Sequence, residues 1–183
     1  MALGQMIKTW FQGLRFKSRN QQLPHPSVQS NGLNFRFAAS DDIRSLLDIE
    51  RDVFEALPWT FSYFQHEISG NSRAVFIVSE NSEKILGYIG LRWNRSLTDF
   101  HISNFAVRKA FQNKGIGSQL LKAAEDLSSY LKITHLTLEV SRPDLTAQGF
   151  YRKRGFESAR ILTAYYNDGR DAIEMEKELK LEL

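Results

Sequence analysis

The order of hydrophobic patterns along this 183-residue chain predicts a mixed α/β domain, a central sheet flanked by helices. Three observations point that way. Apolar residues recur with a period of two in some stretches and near 3.6 in others. A glycine-containing turn, Gln112-Asn113-Lys114-Gly115-Ile116-Gly117, joins an apolar run ending Phe105-Ala106-Val107 to a long amphipathic segment. The length fits one domain, at the soft guide of about 150 residues each, with a core large enough to need no staples.

Taken in order, Leu33, Phe35 and Phe37 alternate as a first strand. Ser40-Asp41-Asp42 supplies helix-start chemistry, after which Ile43, Leu46, Leu47, Val53 and Phe54 recur with helical period up to Pro58. Thr60 to Ser69 reads as a second, short helix. Ala74 to Ser79 and Lys84 to Trp93 form a hairpin through Asn81-Ser82-Glu83. The strand from about Phe100 to Val107 feeds the glycine turn, and Ile116, Leu120, Leu121, Ala124, Leu127 and Leu131 mark the stripe of the main helix. A strand at Thr134 to Val140, a helix from about Thr146 to Lys153, and strands near Glu157 to Tyr165 and Ala172 to Glu178 complete the order β-α-α-β-β-β-α-β-α-β-β.

Composition removes several chemistries. There is no cysteine, so disulfides, thiolate metal sites and a cysteine nucleophile are excluded. His25, His66, His101 and His135 show no metal-ligand spacing, and no metal is expected. General acid and base work by carboxylates, tyrosine or histidine remains. The net charge of +3 is uneven: residues 1 to 40 hold five cations and no acid, which leaves the rest at −2. The body is therefore not expected to bind DNA or RNA.

The basic front end is expected to be a separate extension over 1–31, followed by the domain over 32–183. Leu3, Ile7, Trp10 and Leu14 lie at helical spacing with Lys8 and Arg15 largely elsewhere on the wheel, a basic amphipathic helix too short and too polar to span a bilayer. Three roles are open to it: packing on its own domain or a second copy, contact with a ribosomal or anionic membrane surface, or an organelle presequence. Gln21 to Asn31, with Pro24 and Pro26, reads as a linker.

A strand, a glycine turn and a helix start together offer a row of backbone N–H groups to a phosphate. The spacing lacks the Lys-Ser/Thr pair of a nucleoside-triphosphate loop and the three glycines of a dinucleotide fold. Alone, two glycines before a helix read more often as an ordinary strand-to-helix turn than as a phosphate site.

The pattern Val107…Gln112-x-x-Gly115-x-Gly117 resembles motif A of the GCN5-related N-acetyltransferases (GNAT). Ile49-Glu50-Arg51…Pro58-Trp59, Asn104-Phe105-Ala106-Val107, Leu138-Glu139-Val140, Phe150-Tyr151…Gly155-Phe156 and Tyr165-Tyr166…Asp171-Ala172-Ile173-x-Met175 are similar to the branch of bacterial ribosomal-protein-alanine N-acetyltransferases (RimI type). The resemblance implies the GNAT acyl-CoA N-acyltransferase fold, acetyl-CoA as cosubstrate and a cytoplasmic enzyme. Its acceptor would be the N-terminal alanine of a small-subunit ribosomal protein. It also implies that Phe105, Ala106 and Val107 pair with the pantetheine arm and that Gln112, Asn113, Lys114, Gly115, Ile116, Gly117 and Ser118 hold the pyrophosphate. Asp144 stands where the branch has a cofactor-contacting Asn; it keeps an acceptor, loses the amide donor and adds a negative charge. The nearest alternatives are an acetyltransferase for a small-molecule amine or lysine, and a non-catalytic acetyl-CoA-binding or ribosome-associated module.

Acetyl transfer to an amine needs a neutral amine, a stabilised oxyanion and a proton for the departing thiolate. An α-amine titrates about 2.5 units below a lysine, a head start of roughly 3.5 kcal/mol. In the strand Thr134 to Val140, Glu139 leaves the apolar side with His135 and Thr137. Partial desolvation there is expected to raise its pKa. The residues alone leave Glu139 between a base and a solvated carboxylate, and Tyr151 between an acid and a core aromatic. The resemblance assigns Glu139 as proton acceptor and Tyr151 as proton donor. Tyr165, Tyr166 and Asp171-Ala172-Ile173 match its peptide-channel hairpin. Lys114 and Arg152-Lys153-Arg154 are read as phosphate helpers or, for the triplet, solvated surface charge.

Overall fold

The computed structural model describes residues 32–54, 59–94 and 98–180. The expected front helix, the linker and the helix end at Pro58 lie outside the described residues. Seven strands form one sheet: β1 (Asn34–Phe37), β2 (Ala74–Glu80), β3 (Ile85–Trp93), β4 (Asp99–Val107), β5 (His135–Ser141), β6 (Glu157–Leu162) and β7 (Ala172–Glu178). The helices are α1 (Ile43–Val53), α2 (Phe61–Gln65), α3 (Ile116–Tyr130) and α4 (Leu145–Arg152). The order along the chain is the expected one. Across the sheet it is β1-β2-β3-β4-β5-β7-β6, antiparallel throughout except between β4 and β5.

Period-two alternation divides β2 and β3 between two cores. Val75, Ile77, Ile89, Leu91 and Trp93 join the core under α3, whereas Phe76, Val78 and Tyr88 join Ile43, Leu46, Ile49 and Phe64 of α1 and α2. Strand β4 changes sides part-way. Gly90 pairs with Asn104 but Leu91 pairs with Ile102, so Ser103 is an extra residue, a β-bulge. Before it, Phe100 and Ile102 face α3; after it, Ala106 faces α1 and Phe105 packs toward α3.

Two local features depart from simple patterning. Arg36, which alternation in β1 would turn to solvent, is 7% exposed because its guanidinium meets Asp42 at 2.7 and 3.0 Å and Glu80 at 2.7 and 3.0 Å. Thr60 caps α2 by accepting from the Tyr63 N–H at 3.2 Å. The helix then widens into a π turn at His66–Gly70. There the buried Glu67 takes Arg92 at 2.8 Å and Asn71 at 3.1 Å.

Removing one partner of a buried ion pair leaves the other uncompensated. Arg36→Ala, which strands the buried Asp42, should therefore lower the unfolding free energy by about 3 kcal/mol. Urea denaturation measures this; a loss below about 1 kcal/mol would show that Arg36 is not needed to neutralise Asp42.

Candidate active site

The site begins where β4 and β5 part. They pair in parallel over only three positions, Asp99 with His135, Phe100 with Leu136 and His101 with Thr137. Beyond these, β5 continues to pair with β7 to its end, and β4 with β3. Among the described residues no strand pairs with the β5-facing edge of β4 from Ile102 to Val107. Buried backbone N–H and C=O groups seek partners. This gap therefore offers a strand-like edge to an extended ligand, along the predicted Phe105, Ala106 and Val107.

The turn after β4 lies at one end of that gap. Asn113 has φ +59 and Gly115 φ +84, so two left-handed residues curl the chain before α3, and Gly115 is the helix cap. Such a curl aims successive N–H groups into one concavity, together with the positive end of a 15-residue helix. Gln112 donates from Nε2 to the Val107 carbonyl at 2.9 Å and fixes the turn to the strand end. Lys114 lies over the Phe111 ring at 5.1 Å. At Gly117 an added Cβ would meet the Phe150 ring at 3.4 Å, so a side chain there would crowd the space between α3 and α4. Ile116 is buried in the core, and its contribution to a ligand would come from its backbone.

Ser118 accepts a hydrogen bond from Arg154, whose guanidinium stacks on Phe150 at 3.6 Å and donates to the Phe150 carbonyl at 2.6 Å. Arg154 is thus not solvated surface charge, in contrast to the exposed Arg152 and Lys153. Burial lowers its pKa from the ordinary arginine value. Pattern reasoning did not separate it from Arg152 and Lys153, because a run of three cations looks uniform until the turn after α4 brings one of them inward.

Tyr151 sits on α4 among Phe105, Phe150 and Phe156, with ring centroids 5.2 to 6.3 Å away. Burial, then the charge of Asp144, pushes its hydroxyl well above the ordinary phenol value. It therefore keeps its proton at any pH of interest. Asp144 accepts from the Ala147 N–H at 2.9 Å and caps α4, a role worth about 1 kcal/mol.

Glu139 lies on the opposite face of the sheet. Arg92 is in register with His101 and Gly90 with Asn104, so His101, Asn104, Thr137 and Glu139 share the face covered further along by α1 and α2. Glu139 Oε2 lies 3.1 Å from His101 Nε2, and His101 Nδ1 lies 3.1 Å from Thr137 Oγ1. With Nε2 protonated, His101 donates to the carboxylate and accepts from the threonine hydroxyl. Burial and then the charge of Glu139 push the Tyr165 phenol up to about 12.

The expectation of a raised Glu139 pKa is corrected. Burial does push it up, but the hydrogen bond and charge of His101, aided by Tyr165, outweigh it and hold the carboxyl below its ordinary value. His101 was not singled out by pattern, since 38 residues separate it from Glu139 and only the β4–β5 pairing joins them. Among the described residues no group of three or more metal-binding side chains is gathered, and no helix is long and apolar enough to cross a membrane.

The arrangement sets a left-handed turn at a helix start beside an unpaired strand edge, with a buried phenol on one face of the sheet and a carboxylate on the other. Residues 51–179 match the model of the acetyltransferase (GNAT) domain, and the chain belongs to that family. It is an N-acetyltransferase by that membership. It is 33% identical, over 74% of its length and 88% of the relative's, to a Bacillus subtilis (strain 168) protein provisionally named ribosomal protein bS18-alanine N-acetyltransferase. An N-alpha-acetyltransferase of Sulfurisphaera tokodaii is 30% identical over 75% of this chain and 87% of its own. The crystal structure of the ribosomal-protein-S18-alanine N-acetyltransferase from Escherichia coli has the same fold, with a TM-score of 0.73 at 23% identity over 82% of this chain and 96% of that one.

A carboxyl whose pKa is depressed on folding adds stability above its unfolded value, about 4.3. That stability is lost as pH falls through the lower folded value. Removing its partner should undo the depression. His101→Leu is expected to move the Glu139 titration upward, read by carbon-13 NMR of the labelled carboxyl; an unmoved midpoint would show that His101 does not hold the charge.

Proposed function

We propose that the protein acetylates the N-terminal α-amine of a protein, with the N-terminal alanine of a small-subunit ribosomal protein as the acceptor. The parting of β4 from β5 is the observation that carries this reading. Beyond the three pairs the two strands are not joined, and the unjoined stretch has Glu139 and His101 on one face of the sheet and Tyr151 and the glycine turn on the other. On the Glu139 side, the core under α1 and α2 takes its strand residues from β2, β3 and β4 and none from β5, β6 or β7. An extended chain can lie there.

We assign Phe105, Ala106 and Val107 to the pantetheine arm, and Gln112, Asn113, Lys114, Gly115, Ile116, Gly117 and Ser118 to the pyrophosphate of acetyl-CoA. Asp144, whose Oδ1 caps α4, has only an acceptor oxygen left, so we assign it to an N–H or O–H group of acetyl-CoA and not to its phosphates. The open strand edge and the left-handed turn fit such a ligand. Acetyl-CoA supplies the thioester carbonyl carbon that the amine attacks directly. Glu139, already ionised at low pH, takes the proton that the amine loses as its bond to carbon forms. Tyr151 hands its proton to the sulfur as the carbon–sulfur bond breaks.

A carboxylate with a low pKa is a weak base for lysine but adequate for an α-amine, part of which is already neutral near pH 7. The depressed Glu139 thus favours the α-amine reading over the lysine one. The names of the Bacillus and Sulfurisphaera relatives support the same acceptor class. A cytoplasmic setting belongs to the same proposal.

Mass spectrometry of peptides incubated with acetyl-CoA tests it. One acetyl group confined to an alanine-start peptide is expected; modification of lysine alone, or of no peptide, would contradict the acceptor. Glu139→Gln and Tyr151→Phe should each lower kcat by about 10² to 10³ while acetyl-CoA still binds, the usual size of a lost proton-transfer group. Steady-state rates retained within about twofold would remove that residue from the chemistry.

A further inference from the structure

Arg154 follows α4 and is half-buried, whereas Arg152 and Lys153 before it are exposed. Its guanidinium lies over the Phe150 ring, 3.6 Å from the centroid, and donates to the Phe150 carbonyl at 2.6 Å. That bond occupies a carbonyl near the end of α4, where a cation suits the negative end of the helix. It gives a structural reason for one contact of this side chain.

The other contact crosses to α3 and has no such reason. Arg154 Nη2 donates to Ser118 Oγ, 36 residues away in sequence. Ser118 is the third residue of α3, and the first bond within that helix runs from the Gln119 N–H to the Gly115 carbonyl at 3.1 Å. The Ser118 N–H therefore belongs to the group that a helix start leaves unbonded. This is the positive end of α3, where a cation is disfavoured. Among the described residues no carboxylate forms an ion pair with Arg154. A guanidinium and a helix start thus converge with no acid between them, and a bound anion would balance both.

A hydroxyl has one proton to give and two lone pairs to accept with. The Ser118 oxygen accepts from Arg154, and among the described residues its own proton goes to no acceptor. The Phe150 ring sets the spacing, since it lies under the guanidinium and would meet a Cβ added at Gly117 at 3.4 Å. The guanidinium, the ring and the first turn of α3 therefore pack as one unit.

We propose that Arg154 is a positioning residue for the pyrophosphate of acetyl-CoA: it holds the Ser118 hydroxyl from one side and so leaves that hydroxyl's proton for a phosphate oxygen. This rests on the assignment of Asn113 to Ser118 to the pyrophosphate. The bond from the charged guanidinium also polarises the hydroxyl and strengthens its donation.

The full chain is used for the test, with Arg154→Gln, Ser118→Ala and the double variant compared with the parent. Calorimetry gives the Kd for CoA, and NMR titration gives the Kd for pantetheine, which carries no phosphate. Each single variant should weaken CoA about tenfold, the effect of one lost hydrogen bond to a charged group, and leave pantetheine within about twofold. The double variant should lose less than the product of the two single losses, because Arg154 acts through Ser118. Ser118→Ala leaves the contact with the end of α4 in place, so it decides the matter if Arg154→Gln is too unstable to measure. A lower melting temperature with the CoA Kd unchanged, or equal weakening of CoA and pantetheine, would mark a merely structural role and overturn the proposal. Losses that multiply in the double variant would overturn the link through Ser118. A parent that binds no CoA would overturn the cosubstrate assignment itself, whereas a parent and variants that bind CoA equally would overturn this inference alone.

Discussion

The short pairing of β4 with β5 is the constraint on which the site depends. Three residue pairs hold the two halves of the sheet together, and after His101 and Thr137 the strands separate. Each is fully paired on its outer side, so the parting does not unravel the sheet. What remains is an unpaired polar edge in the middle of an otherwise continuous sheet, a costly feature unless a ligand or water satisfies it. The last paired position is also where His101 meets Thr137 and, one alternation further, Glu139. The point of separation and the candidate base are therefore set by one piece of geometry.

The bulge at Ser103 adds a second constraint. A regular β4 could not send Phe100 and Ile102 to the α3 core and Ala106 to the α1 core. One extra residue permits both, and it turns Asn104 toward Tyr63 and Trp59 while Phe105 meets Phe150 and Tyr151. Both faces of the candidate site thus receive ring contacts from consecutive residues of one strand. Buried carboxyls at Asp42, Glu50 and Glu67 hold the elements around it, each by a named partner: Arg36, Tyr88 and Arg92.

Much of this was legible in the sequence. Hydrophobic periodicity gave every strand and helix in order, because most of these elements bury one clear face, and the glycine turn was visible because Gly115 occupies a left-handed position. Glu139 and Tyr151 became candidates only through motifs that resemble those of the family, not through their patterning alone. The partners of these residues could not. His101 reaches Glu139 only through a parallel pairing, Asn104 is re-aimed by a bulge that leaves no mark in the residue types, and Arg36 and Arg154 are cations drawn inward by distant acids and rings. The direction of the Glu139 shift was misjudged for the same reason. Burial can be inferred from alternation, but a compensating histidine on another strand cannot.

The central claim is that cosubstrate and acceptor meet through the β4–β5 gap from opposite faces of the sheet. A crystal structure of the full chain with CoA linked through its sulfur to the α-amine of an alanine-start peptide tests it most directly. The account predicts the pantetheine arm along Phe105 to Val107, the phosphates at Asn113 to Ser118, and the peptide on the face of Glu139, His101 and Tyr165. A peptide lying instead on the α3 and α4 side, with the gap closed by β4–β5 pairing, would contradict it.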